Sequence, residues 1–305
     1  MSTAAKSTSI LRLNTGVSIP QIGLGTWQST EEEVYGAVLA AIKAGYKHID
    51  TAAIYKNETA VGRAIKDSGI PREELFVTTK LWCTYHTRVQ QGLDESLERL
   101  GLEYVDLYLI HWPFAMNPNG ADNWLPFKED GVTRDVIEWD YVKTYEAMQE
   151  LLPSGKVRAI GISNFTEEKI ERLLNSESTK IKPACLQIEL HPLLPQQKLI
   201  DYCKSKDIVV EAYSPLGSTG APLLKNEKLI KIAEKYGVSP ATICISWAIW
   251  RGTVVLPKSV SSARIESNLV VVKLDDEDGE QINSIHETEG VQRFVSPKWG
   301  VPVFD

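Results

Sequence analysis

The chain has 305 residues, of which 43% are hydrophobic and 24% charged, and its formal net charge is −7. This composition is typical of a soluble globular protein, and the acidic balance argues against a nucleic-acid partner, which would require a basic face. The sequence offers neither the apolar core of a signal peptide nor about 18 consecutive apolar residues for a membrane span. We therefore expect a cytoplasmic protein without a membrane partner that binds a small molecule.

The first predicted element is a hairpin over residues 10–20, in which Asn14-Thr15-Gly16 separates two short apolar runs. After it, eight apolar runs alternate with amphipathic helical stretches, as in β/α units on a parallel sheet. The predicted strands are 21–24, 47–49, 75–79, 105–110, 157–162, 184–189, 208–212 and 254–256. Eight such units predict an α/β fold of the (β/α)8 TIM barrel type, with the hairpin plugging its bottom.

Capping residues predict where helices begin between these strands. Thr30 with Glu33 forms a capping box, and Thr87 with Gln90 predicts a second helix start. Two segments, 113–138 and 290–305, break the alternation and carry prolines and aromatics, so we expect them to be active-site loops. The sequence shows no linker and no repeat, which predicts a single domain over 1–305.

Polar residues stand at or near the ends of the predicted strands. They are Asp50, Lys80, His111, Ser163-Asn164, Gln187, Tyr213-Ser214 and Lys258-Ser259. In a barrel these positions converge on the mouth formed by the carboxyl ends of the strands, where active sites lie. Any one of them alone could be a helix cap or a solvated turn, so only their combination indicates a site.

The combination of Asp50, Tyr55, Lys80 and His111 is chemically coherent. An ammonium beside a phenol lowers the phenol pKa, so Lys80 would make Tyr55 a better acid. A buried Lys80 needs a carboxylate such as Asp50, and His111 could donate a hydrogen bond to a substrate carbonyl. A packed tyrosine and a core histidine remain the alternatives for Tyr55 and His111.

A glycine motif offers a second possible nucleotide site. Gly23-Leu24-Gly25 follows a predicted strand and precedes a helix, with Asp50 about 25 residues later, as in a Rossmann fold. The third glycine of that motif is missing, since Gln28 stands there. Eight β/α units also favour a closed barrel over a doubly wound sheet.

Three stretches of sequence resemble signatures of the aldo-keto reductase superfamily, namely residues 45–55, 109–113 and 256–260. The chain is most similar to fungal glycerol dehydrogenase and carbonyl (aldehyde) reductase members. The resemblance implies a (β/α)8 barrel that binds NADPH or NADP⁺ in extended form. It further implies hydride transfer from nicotinamide C4 to an aldehyde or ketone.

The resemblance also assigns roles to residues, with Asp50, Tyr55, Lys80 and His111 as the catalytic tetrad. Retention of His111 implies carbonyl reduction, and the same residues would run the reverse oxidation of a polyol. A non-catalytic NADPH-binding regulatory or structural protein is the rival, which the intact tetrad disfavours. We expect a monomer without a bound metal.

For the cofactor, the resemblance places Ser163, Asn164 and Gln187 on the carboxamide and Tyr213 against the nicotinamide ring. Lys258 and Arg264 would bind the 2′-phosphate that distinguishes NADPH from NADH. The remaining cofactor positions it implies are Gly25, Thr26, Trp27, Asp50, Ser214, Leu216, Ser218, Ser259, Val260 and Asn268.

The expected substrate pocket is apolar and aromatic-walled. Its implied lining is Trp27, Tyr55, Trp82, His111, Trp112, Phe114 and Trp299. Some of these tryptophans could instead be core residues. Two departures from the family pattern, Ser267 before Asn268 and Gly220 in the loop over the pyrophosphate, predict weaker adenine contacts and faster cofactor release.

Overall fold

The structure is a computed structural model that describes residues 3–118 and 123–304. Strands are numbered in chain order through these residues. They are β1 (Ala5–Lys6), β2 (Ile10–Arg12), β3 (Ser18–Pro20), β4 (Leu24–Gly25), β5 (His48–Asp50), β6 (Phe76–Leu81), β7 (Val105–Ile110), β8 (Ala115–Met116), β9 (Val136–Ile137), β10 (Val157–Ser163), β11 (Cys185–Glu189), β12 (Val209–Tyr213), β13 (Val254–Leu256) and β14 (Val270–Val271).

Helices connect the longer strands. They are α1 (Glu31–Ala44), α2 (Glu58–Asp67), α3 (Val89–Leu100), α4 (Tyr141–Gln149), α5 (Glu167–Leu174), α6 (Gln197–Ser205), α7 (Glu227–Tyr236), α8 (Pro240–Trp250), α9 (Ser262–Asn268), α10 (Asp276–Asn283) and α11 (Ile285–Glu289). None of the helices in the described part of the chain combines the length and apolar character needed to cross a bilayer.

Eight parallel strands form the central sheet in the order β4, β5, β6, β7, β10, β11, β12, β13. The two outer strands also meet, because Ile22 pairs with Val255 and Gly25 with Lys258. The amide of Gly25 donates to the carbonyl of Pro257 at 3.0 Å. The sheet therefore closes into a barrel with helices between its strands, which confirms the predicted (β/α)8 fold and excludes the doubly wound alternative.

Strand boundaries differ from the predicted ones by one to three residues, at both the amino and the carboxyl ends. Strands β7 and β13 match the prediction, but Asp50, Lys80, Ser163 and Tyr213 lie inside their strands rather than after them. Their backbones continue the parallel ladder, as in the pairing of Lys80 with Leu109. The apolar run ends before the strand does, because the side chains of the last residues face the barrel mouth.

The predicted hairpin is present and plugs the barrel bottom. Strands β2 and β3 pair antiparallel, with Leu11 opposite Ile19. Ile19 and Leu13 are 0% and 2% exposed and pack with Leu107 and Ala159 of the barrel interior. The sequence did not predict the pairing of β1 with β14, which ties the N-terminus to the segment after α9.

One predicted helix cap is confirmed and another is wrong. The Thr30 hydroxyl accepts from the amide of Glu33 at 3.2 Å, and the Glu33 carboxylate accepts from the amide of Thr30 at 2.9 Å. Thr87 does not cap α3, whose N-cap is Arg88. The Gln90 side chain instead donates to Asp94 one helical turn later.

The two loops predicted to cover the site have different structures. The segment 113–138 contains a small antiparallel pair, β8 with β9, and residues 119–122 of it lie outside the described residues. The C-terminal segment runs without helix or strand from 290 to 304, and residue 305 lies outside the described residues.

Candidate active site

A fully buried ion pair lies at the mouth of the barrel. The Lys80 Nζ atom donates to Oδ1 and Oδ2 of Asp50 at 2.7 and 2.9 Å and to the Thr51 carbonyl at 2.8 Å. It also lies 3.4 Å from the hydroxyl of Tyr55, which is half-buried. Lys80 and Asp50 are 0% and 4% exposed, so this ammonium touches its partners rather than water.

Local structure brings these groups together. Asp50 ends β5, and Tyr55 lies five residues later in a 3₁₀ turn, Ala53–Tyr55. The turn is followed by the buried side chain of Asn57, which donates to the carbonyls of Thr26 and Ser29 at 3.0 Å each. Asn57 therefore fixes the loop that carries the tyrosine, a role that sequence reasoning missed.

Burial and charge act in opposite directions on the tyrosine. Burial raises the pKa of Tyr55 and Lys80 lowers it, with a net pKa above the ordinary value. The predicted effect of the lysine is present, but in the free protein burial outweighs it. For Lys80, burial lowers the pKa and Asp50 more than offsets this, so the lysine is charged and the phenol is protonated at neutral pH.

His111 follows β7 directly and completes the cluster. Its ring centroid lies 5.8 Å from that of Tyr55 and 5.3 Å from that of Trp82. Burial, with a contribution from Lys80, holds the pKa of His111 well below its usual range. A neutral imidazole keeps one N–H donor, and the buried Nδ1 atom has no hydrogen-bond partner among the described residues.

Amide and hydroxyl side chains surround the tetrad on the β10 to β12 side. The Tyr213 hydroxyl donates to Oδ1 of Asn164 at 2.7 Å, and Nδ2 of Asn164 lies 3.1 Å from the Ser163 hydroxyl. The Gln187 amide donates to Asp50 at 2.8 Å. These groups supply both donors and acceptors, which fits a primary carboxamide such as that of nicotinamide.

Two cations lie after β13, at another part of the mouth. Lys258 and Arg264 are exposed and form no ion pair with any described residue. The Nε atom of Arg264 lies 3.4 Å from the Ser259 hydroxyl, and Nζ of Lys258 lies 3.4 Å from the Gln28 carbonyl. Two cations that are not engaged in ion pairs, next to a hydroxyl, form a donor set that suits a phosphate dianion.

The other residues expected at the cofactor vary in exposure. Thr26, Ser259 and Asn268 are buried, and Val260 is 38% exposed. Those with partial exposure are Gly25, Ser214, Leu216 and Ser218. Ser214 and Ser218 have positive φ values of 53° and 64°, which shape the loop after β12.

Aromatic rings form a continuous wall beside His111. Trp299 from the C-terminal segment lies 5.2 Å from Trp112, 5.2 Å from Phe114 and 5.8 Å from Trp82, measured between ring centroids. Together with the contacts of His111 to Tyr55 and Trp82, the structure therefore brings six of the seven expected pocket residues together. Trp27 is 39% exposed and makes no ring contact with the other described aromatics.

Sequence reasoning missed Glu211, which lies inside the barrel below the tetrad. It is 0% exposed and accepts from the Gln187 amide at 2.9 Å. Burial and the nearby Asp50 carboxylate raise the pKa of Glu211 to about 7. A charged residue within an apolar strand was the available signal.

We predict that Glu211→Gln stabilises the fold increasingly from pH 5 to pH 8. A raised carboxyl pKa means that native Glu211 keeps its proton where the unfolded chain has lost it, so the contribution of this group to wild-type stability falls as pH rises from about 4.5 through about 7. At pH 8 the free energy of unfolding of Glu211→Gln should exceed that of wild type by on the order of 3 kcal/mol, measured by urea unfolding. Exposed Glu98→Gln is the control. If the free energies of unfolding of wild type and Glu211→Gln change in parallel with pH, the prediction is refuted.

Sequence comparison places this geometry in a known family. A model of the Aldo/keto reductase family matches residues 21–287. The chain is 56% identical to glycerol 2-dehydrogenase (NADP(+)) of Saccharomyces cerevisiae, covering 96% of each protein. It is 52% identical to aldehyde reductase YPR1 of the same yeast, covering 99% of each.

A solved structure gives the same result for the fold. The aldose reductase of Schistosoma japonicum superposes with a TM-score of 0.86 at 36% identity, covering 94% of this chain and 93% of that one. The sequence match and the structural match therefore indicate the same family. The chain belongs to the aldo/keto reductase family.

Proposed function

We propose that the protein is an NADPH-dependent reductase that converts aldehydes and ketones to alcohols, with Tyr55 as the general acid. The observation that carries this proposal is the position of the Lys80 ammonium, which contacts both the Asp50 carboxylate and the Tyr55 hydroxyl. Family membership and the NADP-linked name of the glycerol 2-dehydrogenase relative support the same reaction class.

The chain's own residues handle the proton and the substrate oxygen. Bound NADPH would supply the hydride, which reduces the carbonyl carbon. Tyr55 donates its proton to the carbonyl oxygen, and Lys80 stabilises the phenolate that remains. Asp50 keeps Lys80 charged and in place, while neutral His111 donates a hydrogen bond that orients the carbonyl and stabilises developing negative charge.

A second set of residues at the barrel mouth would hold the cofactor. Ser163, Asn164 and Gln187 would hold the nicotinamide carboxamide, and Tyr213 would bind the nicotinamide ring. Lys258 and Arg264 would bind the 2′-phosphate. Ser214, Leu216 and Ser218 would line the pyrophosphate, and Ser259, Val260 and Asn268 would bind the adenosine. Gly25, Thr26 and Trp27 would complete the cofactor site.

We expect Arg264→Ala and Lys258→Ala to raise the KM for NADPH at least tenfold and to change the KM for NADH less than about twofold. Each cation makes charge-assisted hydrogen bonds that only the 2′-phosphate can accept. Steady-state kinetics with both cofactors measures this, with exposed Lys231→Ala on α7 as the control. Equal effects on the two cofactors would remove the 2′-phosphate assignment.

The reverse reaction is the second candidate function. The name of the glycerol 2-dehydrogenase (NADP(+)) relative favours oxidation of a polyol, and that of the aldehyde reductase relative favours reduction. Both directions use the same tetrad, with Tyr55 as base in the oxidation. The ratio of NADPH to NADP⁺ then sets the net direction.

A substrate panel tests the proposed reaction. NADPH consumption is followed with glyceraldehyde, aromatic aldehydes, ketones and keto-esters, and NADP⁺ reduction with glycerol and other polyols. We expect turnover of several aldehydes, while the absence of turnover with every compound would favour a non-catalytic NADPH-binding protein. NADPH binding, measured by fluorescence, distinguishes that outcome from an inactive preparation.

We further propose that the enzyme acts as a monomer in the cytoplasm. All four tetrad side chains come from one chain, so the site needs no second copy. The four cysteines, Cys83, Cys185, Cys203 and Cys244, are free and buried, which suits a reducing compartment.

A further inference from the structure

The C-terminal segment is attached to the barrel through a buried carboxylate that the proposed reaction does not use. Residues 290–304 are called the tail here. Glu189, the last residue of β11, is 0% exposed. Its Oε1 accepts from the amide of Phe294 at 2.7 Å, and its Oε2 accepts from the amide of Val295 at 2.9 Å.

A second buried side chain completes this arrangement. Nε2 of His191 lies 3.0 Å from Oε1 of Glu189, and His191 is also 0% exposed. The His191 ring packs against the Phe294 ring with centroids 5.1 Å apart. Hydrogen bonds to an ionised carboxylate are about twice as strong as neutral ones, so this contact holds the tail firmly.

Trp299 lies midway between two attachment points of the tail. One is the pair of amides at 294 and 295, and the other is Val303, which is 6% exposed and whose carbonyl accepts from Lys169 at 3.4 Å. The amides of Ser296 and Lys298 have no hydrogen-bond partner among the described residues. The position of Trp299 against the aromatic wall therefore depends on its neighbours in the tail being fixed.

The register of the barrel links this attachment to the reaction site. Glu189 pairs with Tyr213 across β11 and β12 and lies two residues after Gln187. The carboxylate that holds the tail is thus part of the same strand end that presents cofactor-facing groups. The Glu189 carboxylate can therefore act on the site without touching a ligand.

We infer that Glu189 is a positioning residue that fixes the tail and thereby sets Trp299 as one wall of the substrate pocket. This rests on the proposed function, since it takes the aromatic cluster as the place where the aldehyde binds. Glu189 itself holds the tail through two backbone amides, and the contact between the His191 and Phe294 rings adds to this attachment. The inference predicts an effect on bulky aromatic aldehydes and little effect on small ones.

Glu189→Gln is the main test. The glutamine offers one oxygen where the carboxylate offers two, and its NH₂ would face a backbone N–H donor. We expect the amides of Phe294 and Val295 to exchange with solvent roughly 10- to 100-fold faster. We expect kcat/KM for benzaldehyde to fall about tenfold, mainly through KM, and that for glycolaldehyde to change less than about twofold.

A double-mutant cycle with Trp299→Ala separates positioning from a general structural effect. If Glu189 acts through Trp299, Glu189→Gln causes no further loss with benzaldehyde in the Trp299→Ala background. Additive losses, or equal losses for both aldehydes, would overturn the inference. Glu58→Gln is the matched control, because Glu58 is also buried, bonded to Thr79 and Arg99 and remote from the tail.

The wild-type protein provides a test that needs no variant. The amides of Phe294 and Val295 should exchange more slowly than those of Ser296 and Lys298, and equal rates would contradict the attachment. Exchange is measured without substrate, so it reports on the tail even if no aldehyde is reduced. If the wild-type protein reduces no aldehyde, that result counts against the proposed function and leaves the attachment of the tail to be judged by the exchange rates.

Discussion

Tyr55→Phe is expected to lower kcat for aldehyde reduction by roughly 10²–10⁴-fold, the usual contribution of a positioned general acid. The substitution removes one hydroxyl and keeps the ring, which packs edge-on against His111. Lys80 retains Asp50 and the Thr51 carbonyl as partners, so the buried charge stays paired and the fold is preserved. Steady-state kinetics at saturating NADPH measures the loss.

The control for this prediction is Tyr145→Phe. Tyr145 is 0% exposed on α4, and its hydroxyl has no hydrogen-bond partner among the described residues. The same chemical change there should leave kcat within about twofold of wild type. A Tyr55→Phe enzyme that binds NADPH and keeps a near wild-type kcat would show that another group supplies the proton.

Lys80→Met is expected to reduce both activity and stability. It removes the charge that lowers the pKa of Tyr55 and stabilises the phenolate, so kcat should fall about 10²–10³-fold. It also leaves the Asp50 carboxylate buried without its ammonium, which should cost about 3–5 kcal/mol in the free energy of unfolding. Kinetics and urea denaturation measure the two effects separately.

A double variant distinguishes the two roles of the lysine. Asp50→Asn combined with Lys80→Met removes the uncompensated charge, so much of the lost stability should return. Activity should stay low, because the tyrosine still lacks its ammonium. Recovery of stability and activity together would show that the activity loss in Lys80→Met came only from an unstable fold.

The sequence predicted the barrel and the grouping of the tetrad residues because both follow from the order of strands and helices along the chain. Alternating apolar runs and helical stretches give parallel strands, and a polar residue at a strand end must lie at the mouth of a closed barrel. This is why Asp50, Lys80 and His111 could be grouped before their distances were known. The strand ends extended further than predicted, since Lys80 and Tyr213 continue the ladder although they are polar.

The residues that sequence reasoning missed act through partners remote in the chain. Asn57 bonds to carbonyls about 30 positions earlier, and Glu189 bonds to amides over 100 positions later. Glu211 lies in a strand whose apolar pattern does not show what its carboxylate faces. The net direction of the Tyr55 pKa also required the structure, because the extent of burial decides whether desolvation or Lys80 prevails.

The pH dependence of single-turnover rates in both directions tests the role of Tyr55 most directly. If the phenol donates the proton, the reduction rate is constant at low pH and falls tenfold per pH unit above the pKa of Tyr55 in the NADPH complex, while the oxidation rate rises with pH toward the pKa of Tyr55 in the NADP⁺ complex. Both dependences should vanish in Tyr55→Phe. Rates that do not vary with pH in wild type, or a pKa that persists in Tyr55→Phe, would contradict this account.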